Sequence, residues 1–116
     1  MKKKWLTVLL CFFAYTLSAQ VRVPVDSVSS YIGQNVTVCA GVFGIKSLDK
    51  LSFINLGAVY PKSPLTIVIF TKDLPNFKTT PELLYTNKTI CVTGKLEDFK
   101  GKTQIVVTHP EEIIVQ

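Results

Sequence analysis

The sequence predicts an all-β fold, on three observations. Five short runs rich in valine, isoleucine and threonine lie between turn residues, and the clearest, Asn35–Phe43 ("NVTVCAGVF"), alternates in polarity. Strict alternation marks a half-buried strand. Pro75 and Pro81 forbid one long helix within Thr71–Lys88. Near the C-terminus, Val92–Val107 ("VTGKLEDFKGKTQIVV") sets two β-branched runs about a polar bend, Asp98–Gly101, and reads as a hairpin turning on Gly101.

Of the 116 residues, the first 19 form a segment of different character. Lys2, Lys3 and Lys4 precede an apolar run, Trp5–Leu17, that is short for a membrane span, and Leu17-Ser18-Ala19 supplies small residues before Gln20. This is the pattern of a secretory signal peptide (residues 1–19), with an uncleaved anchor as the alternative. Cys11 lies inside the apolar run, which argues against a lipoprotein. Cleavage would leave 97 of the 116 residues, one domain over 20–116. It would also remove three of the 13 basic residues and none of the eight acidic ones, so the net charge of +5 falls to +2. So balanced a chain does not steer nucleic acid globally, and any basic face must be local.

The elements follow in order. Gln20–Val25 is an extended lead-in. Asp26 can cap a short N-terminal helix over Ser27–Ile32, which Gly33 stops. In Asn35–Phe43, Val36, Val38, Ala40 and Val42 face one way and Thr37, Cys39 and Phe43 the other, while Gly41 and Gly44 permit a bend. Leu51–Leu56 ("LSFINL") is a second strand, and either of its faces can point inward. Leu65–Phe70 ("LTIVIF") is apolar on both faces, as a central strand is. A turn near Pro75–Phe77 and a short helix near Pro81–Thr86 follow, the helix started by Thr80 and Pro81. Thr89–Leu96 and Thr103–Thr108 are the fourth and fifth strands, and Glu111–Val115 trails off. Three strands, a short helix, then a closing pair is the order of the five-stranded OB-fold Greek-key barrel. An SH3-like barrel or an open sandwich is the alternative.

In the OB order the first strand is long, bends and pairs with the fourth. That places Cys39 and Cys91, the two cysteines left after cleavage, on neighbouring strands. Export into an oxidising compartment favours a disulfide between them, worth about 4 kcal/mol for a loop of roughly 50 residues. Two buried free thiols are the alternative.

Three stretches, "VTVCAGVF", "FINLGAVYP" with "LTIVIF", and "LLYTNKTICVTGKLEDFKGKTQIVVTHPEEI", resemble a family of small exported bacterial OB-fold modules. Its members carry labels such as nucleic-acid-binding OB-fold or DNA-binding protein, and related modules stand beside nuclease domains. The likeness spans most of Ser30–Ile113. Its most specific parts are Asn55-Leu56-Gly57 with Tyr60-Pro61, and Cys91–Lys95 running on to Lys100–Lys102 and Gln104–Val107. The resemblance implies a periplasmic or extracellular protein and brings no catalytic motif.

The residues agree that this is not an enzyme. His109 is the only histidine and precedes Pro110 at a strand end. One histidine and two strand cysteines do not make a zinc site, and no glycine-rich phosphate loop follows a strand, so no metal or cofactor is expected. Glu97-Asp98 is the nearest approach to a carboxylate pair, and it sits at a hairpin turn.

Binding is the better expectation. OB folds take ligands on the face of strands two and three, between the loop joining strands one and two and the loop joining strands four and five. Aromatic platforms and a basic track suit single-stranded nucleic acid. Here the charge comes from Lys46, Lys50, Lys62, Lys95, Lys100 and Lys102, and the stacking from Phe53, Tyr60 and Phe99. Phe43 is a further candidate for the face, with core packing the competing assignment for Phe43, Phe53 and Phe70. The alternative partner is an envelope protein, peptide or oligosaccharide on the same face, and no stable membrane insertion is expected after signal cleavage.

Overall fold

The structure, a computed structural model, describes residues 21–116. The expected signal peptide, Met1–Ala19, lies outside the described residues. Eight strands build one mixed sheet: β1 (Val21–Arg22), β2 (Asn35–Ser47), β3 (Leu51–Leu56), β4 (Leu65–Phe70), β5 (Thr89–Lys95), β6 (Glu97–Phe99), β7 (Lys102–Val106) and β8 (Ile113–Val115). Their hydrogen-bonded order is β6-β7-β4-β3-β2-β5-β8, with β1 laid parallel on β2. The architecture is mostly β and compatible with an OB-fold. Strands β2, β3, β4, β5 and β7 are the five expected ones; β3 and β4 have the expected bounds, and the other three differ by a few residues at their ends.

Strand β2 organises the sheet. Its first half, Asn35–Gly41, pairs antiparallel with β5, and its second half, from Val42, pairs with β3. The register slips between Val42 and Gly44, so Phe43 is bulged. A bulge coils a strand and lets one chain serve two neighbours. Gly41 assists, because the Phe43 ring lies 3.4 Å from where a Cβ would stand.

The sheet is open in its hydrogen bonding: among the described residues no ladder joins β5 to β7. The two strands meet by packing, with Ile105 Cγ2 2.6 Å from the place a Cβ would take on Gly94. Two expectations need correction. First, the hairpin bend is narrower than Asp98–Gly101. Glu97–Phe99 is strand β6, paired with β7, so Glu97 and Asp98 are strand residues. Lys100 (φ 52°) and Gly101 (φ 84°) alone make the turn, a left-handed pair that matches strand twist. Second, Ile113–Val115 does not trail off but pairs with Ile90–Val92 on the outer edge of β5.

The helical elements are small. The N-terminal helix is a 3₁₀ segment, Val25–Tyr31, entered at Pro24, with Asp26 in its first turn and not at its cap. A second 3₁₀ segment covers Thr71–Asn76. Helix α1, Pro81–Tyr85, starts as expected: Leu83 N–H donates to Thr80 Oγ1 at 3.3 Å, and Pro81 fills the first helical position.

The core is mainly aliphatic. Val36, Val38, Ile54, Leu56, Ile67 and Ile90 have no exposed surface. Phe77 and Tyr85 are its buried aromatics, and burial raises the Tyr85 phenol above its ordinary pKa. Phe43, Phe53 and Phe70 stand outside it. Cys39 and Cys91 face each other in register and are joined by a disulfide, with Cα atoms 3.9 Å apart.

Candidate binding groove

Alternation along β3 builds the site. Ser52, Ile54 and Leu56 are buried inward, while Leu51 and Phe53 are partly exposed on the opposite face. Register carries that face across the sheet. Leu51 stands beside Phe70, and Phe53 stands between Lys46 on β2 and Val68 on β4. Asn55 stands between Gly44 and Thr66, and Thr66 is followed by Gln104 on β7. Two largely apolar rows are therefore followed by one polar row.

A groove of about 700 Å³ runs over this face. Phe53, Val68 and Asn55 contribute to its floor. Leu48, near the β2–β3 turn, and Phe99, on the β6–β7 hairpin, line it with Tyr60 of the β3–β4 loop. These side chains are held out to solvent: Tyr60 is 68% exposed, Phe99 55% and Phe43 52%. Lys102 Nζ lies 5.1 Å from the Tyr60 ring centroid and 3.5 Å from the Pro61 carbonyl oxygen, linking the hairpin to the loop. Lys100 Nζ lies 5.4 Å from the Phe99 centroid. A cation over an aromatic face adds attraction and orients both groups.

The expected residues divide. Lys46, Phe53, Tyr60, Phe99 and Lys102 line the groove together. Lys50, Lys62, Lys95 and Lys100 are exposed but do not line it. Phe53 and Phe70 are groove residues, which resolves the face of "LSFINL". Sequence reasoning passed over Leu48, Gln104 and, as a groove residue, Asn55. A polar residue inside an apolar strand, followed by Ser63 and Thr66, was the available signal for Asn55: its Oδ1 accepts from Ser63 Oγ at 3.2 Å and from Thr66 Oγ1 at 3.4 Å.

His109 and Glu97 make their contacts within the fold. His109 N–H and Thr108 N–H both donate to Glu112 Oε1, at 3.0 and 2.8 Å, closing the turn before β8. Glu97 Oε1 accepts from Gln104 Nε2 at 3.3 Å across the hairpin. Among the described residues, no three His, Cys, Asp or Glu side chains gather as a metal site requires, and no helix is long and apolar enough to cross a membrane.

No family model and no curated protein matches the sequence. Solved structures do match. A protein described as an aspartyl-tRNA synthetase, from Leishmania major Friedlin, is 14% identical at a TM-score of 0.59, over 90% of this chain and 22% of its own. The chain thus spans about a fifth of that protein's length. The OBody AM1L10, bound to hen egg-white lysozyme, is 15% identical at a TM-score of 0.57, over 87% of this chain and 98% of its own. The OBody AM2EP06, also bound to hen egg-white lysozyme, is 12% identical at a TM-score of 0.57, over 86% and 96%. Identities this low establish likeness of fold alone.

Proposed function

We propose that this chain is an exported, non-catalytic OB-fold module, a five-stranded barrel elaborated at its edges, that binds single-stranded nucleic acid weakly in the outer-face groove. One observation carries the reading: Lys46, Phe53, Tyr60, Phe99 and Lys102, remote in sequence, line one groove. That groove lies where OB folds take ligands, on the face of the second and third barrel strands. Phe43, Phe53, Tyr60 and Phe99 offer ring faces to bases, and Lys46 and Lys102 offer charge to phosphates. The lysines outside the groove add only long-range attraction, screened within about 10 Å at moderate salt. The N-terminal signal pattern and the disulfide support export to an oxidising compartment.

Fluorescence anisotropy with a labelled single-stranded oligonucleotide, at low and moderate salt, tests the proposal. Binding is expected to weaken as salt rises. Phe53→Ala is expected to cost about 1–3 kcal/mol, the range for one stacked base. Lys100→Glu/Lys102→Glu is expected to weaken binding further at low salt. No binding at low salt would refute the proposal.

A second reading has its own support. Apolar and aromatic side chains outnumber the two lysines in the groove, and the OBodies of similar fold each hold a protein. An envelope adaptor for a protein, peptide or oligosaccharide would use the same face. Heparin discriminates, because it displaces a ligand held by charge and leaves an apolar peptide or neutral glycan in place.

A further inference from the structure

We infer that Asn55 selects, among bases stacked in the groove, those that present a carbonyl oxygen; this rests on the nucleic-acid reading above. Asn55 is 8% exposed and lines the groove. Its carboxamide is satisfied on one side only. Oδ1 accepts from the Ser63 and Thr66 hydroxyls, whereas Nδ2 donates to no group among the described residues. A donor N–H that faces a groove is free to pair with a ligand that supplies the acceptor.

The backbone leaves the approach open. Gly44 stands opposite Asn55 in register, and a Cβ there would lie 3.8 Å from Nδ2. With glycine in place, the space over the amide nitrogen is free on the groove side. Phe53 is two residues earlier on the same strand and shares the outer face. Successive residues on one face of a strand are about 6.6 Å apart. A ring stacked on Phe53 thus brings its edge toward Nδ2.

Donor and acceptor identity then set the choice. Adenine is read by asparagine through both ends of the amide, one donating and one accepting. Here the accepting end is occupied by two hydroxyls, so that bidentate contact is blocked. Thymine and uracil carry two carbonyl oxygens, and guanine and cytosine one each, and each accepts from Nδ2 without needing Oδ1; adenine offers Nδ2 only its ring nitrogens.

The test is anisotropy of the purified protein with labelled oligo(dT) and oligo(dA) of equal length at low salt. Stacking and backbone flexibility already favour pyrimidine runs, so the readout is the change in the dT-to-dA affinity ratio on mutation. Gly44→Ala makes only ordinary van der Waals contact with Nδ2 and covers it. It is expected to lower the ratio roughly threefold to tenfold, as the loss of one hydrogen bond implies, by weakening oligo(dT) more than oligo(dA). Asn55→Asp keeps an oxygen toward Ser63 and Thr66 and replaces the donors, and is expected to lower the ratio at least as far. Circular dichroism checks its folding; where it fails to fold, Gly44→Ala decides alone. A ratio that neither variant changes overturns the assignment and leaves the nucleic-acid reading standing. A wild-type preference for oligo(dA) that the variants abolish also overturns it, because the amide would then present Oδ1. Failure of both strands to bind overturns the assignment and the nucleic-acid reading together.

Discussion

Gly94 lacks a side chain where Ile105 takes up the room. A Cβ at Gly94 would lie 2.6 Å from Ile105 Cγ2, closer than two carbon atoms tolerate. β5 and β7 share no ladder, so they meet here through side-chain packing. Gly94→Ala should therefore destabilise the fold by about 1–3 kcal/mol, the usual cost of overpacking, read as a lower urea midpoint. The penalty should vanish in an Ile105→Ala background; an unchanged penalty there would place the clash elsewhere. Tyr85 gives a residue-scale test of burial. The residue is 3% exposed, and the pKa of its phenol is raised by desolvation. The unfolded phenol titrates near 10, so the native state holds its proton to higher pH. The contribution is complete below the unfolded pKa and is lost as pH rises through the folded one. Stability should fall above pH ~10, and Tyr85→Phe should flatten that fall. At this scale the sequence was legible for Cys39 and Cys91, whose strand positions implied a pair. It was not legible for Phe43, Phe53 and Phe70, because an apolar strand neighbour does not say which side of the sheet is dry. The aliphatic residues of β3 and β4 fill the interior, leaving the rings outside.

The hairpin between β6 and β7 is the element whose chemistry separates turn from site. Both turn residues have positive φ, Lys100 at 52° and Gly101 at 84°. Non-glycine residues avoid that region by roughly 1–2 kcal/mol, although asparagine enters it readily. Gly101→Ala should therefore cost about 1–2 kcal/mol. Lys100→Asn, which makes the favoured Asn-Gly pair, should stabilise by up to about 1 kcal/mol. Because Lys100 does not line the groove, the second variant should leave oligonucleotide affinity within about twofold at moderate salt, where distant charges are screened. A large loss of affinity would bring Lys100 into the site. The hairpin also shows how far strand patterning reaches. Five strands were legible because alternation needs four or more residues to declare itself. Strands β1, β6 and β8 hold only two or three residues each. Such short edge strands exist by docking on a neighbour, and no local period marks them.

Across the whole molecule, the disulfide and the groove sit on different halves of one strand. Cys39 lies in the half of β2 that pairs with β5, and its bond to Cys91 spans 52 residues of chain. Phe43, Gly44 and Lys46, which line the groove, lie in the half that pairs with β3. A cross-link over that much chain restricts the unfolded ensemble, a contribution of about 4 kcal/mol in the chain-entropy picture. The native pairing of Cys39 with Cys91 is already imposed by the β2–β5 ladder, whose partners run unbroken from Asn35 to Gly41. Cys39→Ala/Cys91→Ala should therefore fold, with a markedly lower urea midpoint than the oxidised protein. Dithiothreitol should lower the wild-type midpoint similarly and have no effect on the variant. Ligand affinity, measured well below either midpoint, should be the same in all three states, since the groove is set by the β2–β3–β4 register and the hairpin. Should affinity fall with the midpoint, the bulge at Phe43 would be transmitting strain from one half of β2 to the other, and the halves would act as a single unit.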